Sequence, residues 1–131
     1  MTNTKNQTNA KMQSPNRGRY DLEDRSLAFA KEVRSFVSRL PSTIANREDI
    51  KQVVRSSGSV GANYLEANEA LGKKDFAMRL RIARKEAKET HYWLTLIDTG
   101  NSISLDAERQ RLRNESRELL LILTSIIAKA S

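Results

Sequence analysis

The stretch KKDFAMRLRIARKEAKETHYWLTLIDT, residues 73–99, places Phe76, Leu80, Ala83, Ala87, Thr90, Leu94 and Ile97 at alternating steps of four and three residues. That unbroken alternation is the seam of an α-helix packed against other helices. At a rise of about 1.5 Å per residue, such a helix is about 40 Å long. Gly72 stands before the stretch and Gly100 after it, so the chain is expected to turn at both ends.

Upstream, a helix predicted over 46–71 takes Asn46 as its cap, with Glu48 and Asp49 in its first turn. Its inner face is expected to hold Ile50, Val53, Val54, Ser57, Gly61, Tyr64, Asn68 and Leu71. Earlier still, Asp21 and Asp24 open a helix whose apolar positions are Phe29, Val33, Phe36, Val37 and Leu40, and Pro41 ends it. Downstream, residues 100–104 turn the chain into a last helix over 105–129, with Leu112, Leu119, Leu123 and Ile126 as its seam. Connections this short join antiparallel neighbours. The fold class expected is all-α, an antiparallel up-and-down four-helix bundle over 20–131. Residues 1–19 contain no acid and almost nothing apolar, which predicts a disordered basic N-terminal tail.

The 131 residues hold 23 Lys and Arg against 16 Asp and Glu, a formal net charge of +7. Lys5, Lys11, Arg17 and Arg19 lie in the tail, which leaves the bundle with 19 basic against 16 acidic residues, a net of +3. An anionic partner must therefore be argued from where the charges stand. The absence of cysteine excludes disulfides and thiolate metal sites. No apolar run approaches the roughly 20 residues that cross a bilayer, and the N-terminal MTNTKNQTNAKMQ lacks a signal-peptide core. The expectation is a soluble, unexported, cytoplasmic protein with no membrane partner.

On a helical wheel of the 73–99 segment, Lys74, Arg81, Arg84, Lys85, Lys88 and Tyr92 share a sector of about 100° away from the seam. Two readings fit: a solvated face, or a track for phosphates with Tyr92 available for stacking. A second sector holds Met78, Ile82, Trp93 and Leu96 with Glu86 and Glu89 among them, so apolar surface extends beyond one seam. In the last helix, Leu119 to Leu123, including Leu121 and Ile122, is apolar around the whole circumference. Self-association accounts for both, and a wide monomer core is the alternative. If that flank is covered, Glu86 and Glu89 require Arg or Lys partners.

Catalytic readings fail on the residues. RSSGSVGAN at 55–63 has Ser57 where a nucleophile elbow needs Gly, and it lacks the Gly-Lys-Ser/Thr of a phosphate loop. Its small residues instead predict a neighbouring backbone passing close by. Glu66, Glu69, Glu86 and Glu89 suggest a two-metal carboxylate site, but the Glu-x-x-His pairs are missing, because Lys88 stands three residues before His91, the only histidine. His91 is read as a helix-flank residue with ordinary packing. No enzyme activity, metal or cofactor is expected.

SGSVGAN at 57–63, EANEA at 66–70, DF at 75–76 and IARKEAKETHYWL at 82–94 resemble a bacterial four-helix bundle family whose members are encoded in intervening sequences of large-subunit ribosomal RNA genes. DLEDRSLAFAKEV at 21–33 matches more weakly and the last helix loosely. The resemblance implies a ring-like homopentamer without catalytic residues. A related branch comprises accessory proteins of diversity-generating retroelements, which bind nucleic acid and a reverse transcriptase; this sequence looks more like the general family.

The function expected is that of a non-enzymatic homo-oligomer, a pentamer by resemblance, that binds RNA or another nucleic acid through basic helix faces. Arg81, Arg84, Lys85 and Lys88 are the leading phosphate contacts, with Arg109, Arg113 and Arg117 on the last helix as further candidates. The alternative is a protein-interaction scaffold or accessory subunit, for example of a reverse transcriptase.

Overall fold

The structure, a computed structural model, describes residues 17–130. Four helices follow one another: α1 (Arg17–Val37), α2 (Ile44–Asn68), α3 (Lys73–Leu96) and α4 (Ile103–Ala130). Each packs on the next and α4 packs back on α1, which is the cyclic neighbour pattern of an up-and-down bundle. The predicted seam of α3 is the core: Leu80, Ala83, Ala87, Thr90, Leu94 and Ile97 are buried, facing Phe29, Val33 and Phe36 of α1, Val53, Val60 and Tyr64 of α2, and Leu112, Leu119 and Leu123 of α4 within one cluster. In α4, Ser116 and Ile127 complete the seam, and Ile126 is only half-buried.

The helix ends depart from the sequence expectations for local reasons. The tail expected over 1–19 lies, as far as residue 16, outside the described residues; Arg17 to Arg19 belong to α1, which begins two residues after the helix-breaking Pro15. At its other end α1 stops at Val37, because Pro41 disfavours helical geometry at Leu40 and the chain tightens through the Arg39 N–H to Phe36 C=O bond of 3.1 Å. Thr43, not Asn46, caps α2: its hydroxyl accepts from the Asn46 N–H at 3.0 Å. α2 also ends at Asn68, three residues before Leu71, which is fully exposed and has no place on the inner face.

Asn46 is thereby released for another role. Fully buried, its amide donates to Pro41 C=O at 3.0 Å and Asp98 C=O at 2.8 Å, and its carbonyl accepts from the Asp98 N–H at 3.0 Å. One side chain thus joins the α1–α2 loop to the α3–α4 loop at the same end of the bundle. Gly100 completes that junction, since its φ of +67° suits glycine and an added Cβ would stand 3.0 Å from Pro41 Cγ. Along the bundle, α1 and α4 are stitched by Arg25–Glu115 (2.8 Å), Arg39–Glu108 (2.7 Å) and Glu32–Arg111 (2.9 Å).

The close approach predicted from RSSGSVGAN is found at one of its two glycines. A Cβ on Gly61 would lie 2.9 Å from Ser26 Oγ and 3.3 Å from Ser26 Cβ, whereas one on Gly58 would meet nothing nearer than the Arg34 guanidinium at 3.5 Å. Ser26 is buried and its hydroxyl donates to Glu23 C=O, so it has little room to yield. Gly58→Ala is expected to stabilise the protein by up to about 1 kcal/mol through helix propensity. Gly61→Ala is expected to destabilise it by about 1 kcal/mol, overpacking outweighing the same gain. Urea midpoints of the two variants check the order, and equal midpoints would contradict the α1–α2 contact.

Candidate nucleic-acid interface

With its seam turned inward, α3 presents chemically opposite flanks to its two neighbours. Toward α2 stand Glu86, buried, and Glu89, half-buried, and both are met by Arg55: its guanidinium lies 3.2 Å from Glu86 Oε1 and 3.6 Å from Glu89 Oε1. The partner these carboxylates require is supplied within the chain. Beside them Ser56 Oγ and Thr90 Oγ1 share a buried hydrogen bond of 2.8 Å, and Thr90 donates to Glu86 C=O at 2.8 Å.

Toward α4 the flank is cationic. A groove of about 790 Å³ runs between α3 and α4, with Arg81, Arg84, Lys85, Lys88 and His91 on one wall, Arg117 on the other, and Ala87, Leu120 and Leu121 among them. Among the described residues, no carboxylate lines it. Among the described residues, Arg81, Arg84, Lys85 and Lys88 make no ion pair, so their charge is not cancelled locally. Five cations and a histidine converging without a counter-charge form a ready site for a polyanion.

His91 sits half-buried in that wall, 3.4 Å from an Arg117 guanidinium nitrogen through Nε2. Arginine can only donate, so this contact assigns Nε2 as the acceptor and the proton to Nδ1. Burial, and then the positive charges of Arg113 and Arg117, hold the imidazole below its ordinary pKa of 6.5.

The remaining sequence candidates are dispersed. Lys74 is exposed in the first turn of α3, outside the groove. Tyr92 is exposed beyond its rim and stands edge-on to Trp93, ring centroids 5.2 Å apart. Arg109 donates to Ile97 C=O and pairs with Asp106 at 3.2 Å, closing the C-terminus of α3. Arg113 donates to Gln110 at 3.2 Å. Of the apolar candidates, Met78 and Leu96 are exposed and Ile82 is half-buried, while Trp93 and Ile122 pack partly on the core. Leu121, grouped with them from sequence, lies instead in the basic groove. His91 and Leu120 were missed; the signal for His91 is its place seven and three residues after Arg84 and Lys88.

Among the described residues, no helix is long and apolar enough to cross a membrane, and no three His, Cys, Asp or Glu residues cluster as metal ligands. The family model described as 23S rRNA-intervening sequence protein matches residues 19–125. A crystal structure of a protein of unknown function from the S23 ribosomal protein family of Bacteroides thetaiotaomicron is similar over 85% of this chain and 98% of that one, with 32% identity and a TM-score of 0.71. No curated protein matches.

Arg55→Ala leaves the Glu86 carboxylate buried without its counter-charge, at an expected loss of about 1–3 kcal/mol. Adding Glu86→Gln should recover part of that loss in urea unfolding. A single variant within about 0.5 kcal/mol of the parent would show that Arg55 does not hold Glu86.

Proposed function

The chain belongs to the 23S rRNA-intervening sequence protein family, and from that premise we propose that it is a non-enzymatic, self-associating four-helix bundle protein that binds nucleic acid, RNA foremost, along the α3/α4 groove. The observation that carries this reading is the convergence of Arg81, Arg84, Lys85, Lys88 and Arg117 on one groove that, among the described residues, no carboxylate lines. Such a groove favours phosphate oxygens over any base pattern, so binding is weakly sequence-specific and steeply salt-dependent. Net charge alone supports it less, since the bundle itself is nearly balanced.

Self-association draws on a different surface. Met78 and Leu96 leave about half their area exposed outside the groove lining (44% and 48%), beside the half-buried Ile82 and Trp93. Of the groove-lining cations Lys85, seven residues after Met78, shares their sector, while Arg84, Lys88 and Arg117 face the groove, so each copy of a ring, five by family resemblance, contributes one basic groove to a common field. Docking of a protein such as a reverse transcriptase is the second use such a ring allows.

Charge reversal of Arg81, Arg84 and Lys88 together is expected to abolish RNA binding at moderate salt, and to flatten the dependence of log affinity on log salt by about 2 in any binding that remains. Unchanged affinity in filter binding would overturn the groove reading. Light scattering at micromolar concentration is expected to report an oligomer; a stable monomer would contradict the role given to Met78 and Leu96.

A further inference from the structure

The α3/α4 groove carries more than charge. Ala87, Leu120 and Leu121 put apolar surface among its cations, and Leu121 keeps 54% of its area open. A surface that served only duplex phosphates would gain nothing from leucines, because a double helix keeps its bases inside and its charge outside. Width points the same way. Packed helix axes lie about 8–10 Å apart, so a duplex has to ride on the rims of the cleft and leaves the half-buried Arg84 and His91 unused. An unpaired strand presents phosphates and base faces separately, and it fits a slot lined by both kinds of surface.

We propose that the α3/α4 groove is a channel for unpaired nucleic acid, with phosphates on Arg81, Arg84, Lys88 and Arg117 and a base against Leu120 and Leu121. This rests on the nucleic-acid reading above and narrows it to single strands. His91 reports on occupancy. Arg113 and Arg117 on α4 oppose its protonation, and Arg84 and Lys88 on its own helix line the same wall, all positive. A phosphate seated on Arg117 supplies the opposite charge, so strand binding raises the imidazole pKa toward its ordinary value, and binding in turn strengthens as pH falls below 6.5.

Because His91 is the only histidine, its ring resonances in the full chain are unambiguous. The protein is titrated at fixed moderate salt with a short oligouridylate, and separately with an RNA duplex carrying the same number of phosphates. The oligouridylate is expected to bind about tenfold more tightly, to shift the His91 resonances and to raise their pH midpoint, while the duplex leaves that midpoint in place. Leu121→Ser is expected to remove most of the preference and Leu121→Met to retain it. Equal or tighter duplex binding, with the same His91 response, overturns the single-strand inference and leaves nucleic-acid binding standing. Failure of both polymers to bind overturns the two together.

Discussion

The rotation of α3 about its own axis is set by small residues, and most of the chemistry follows from it. Ser56 and Ser57 of α2 and Ala83, Ala87 and Thr90 of α3 are fully buried, and the Ser56–Thr90 hydroxyl pair closes at 2.8 Å. Small side chains let helices approach closely, and a buried hydroxyl pair accepts little sliding before it loses a hydrogen bond. With that seam fixed, a helical period of 3.6 residues sends Glu86 and Glu89 to one side and Arg84, Lys88 and His91 to the other. A rotation of one residue, about 100°, would turn both flanks away from their present neighbours.

The two flanks then meet different fates because their neighbours differ. α2 offers Arg55, which meets two carboxylates at once, so one of the two negative charges on the acidic side of α3 is offset within the folded chain. α4 brings Arg117 and leucines to the groove and no carboxylate, so the basic side keeps its field. Three of the four acids of α4 are engaged elsewhere, beginning with Glu115 and Glu108, which pair with Arg25 and Arg39 of α1. Asp106 holds Arg109, which in turn closes the end of α3. A bundle with a modest net charge acquires a strongly cationic groove by distributing its pairs unevenly.

The legible part of the sequence was what one helix encodes by itself. Phe29, Val33 and Phe36, and the seam positions Leu80, Ala83, Ala87, Thr90, Leu94 and Ile97, are buried as their spacing predicts, because burial of a helix face depends on its own period. The helix ends were less legible, since competing caps such as Thr43 and Asn46 differ only in which backbone N–H each side chain reaches. The two-helix features were least legible. Pairing Arg55 with Glu86 spans 31 residues and joining His91 to Arg117 spans 26, and both depend on the register of α3 against its neighbours. For the same reason Leu121 was grouped with Met78 and Trp93: all are apolar, and only register separates them.

That separation bears on how the proposed assembly and the proposed ligand binding would coexist. Had Leu121 shared a face with Met78 and Leu96, any copy covering one would have covered the basic wall, and self-association would compete with an anion for the same surface. With Leu121 in the groove the two surfaces meet only near Lys85, seven residues after Met78, and burial of Met78 and Leu96 does not require covering Arg84, Lys88 or Arg117. In the ring proposed above, symmetric copies would bring their grooves into one assembly where like charges repel at low salt, and a polyanion threading several grooves would relieve the repulsion while releasing its counterions. Under that proposal ligand and assembly would be coupled in sign: a strand spanning grooves would stabilise the ring, and a ring formed first would raise the local density of cations the strand meets.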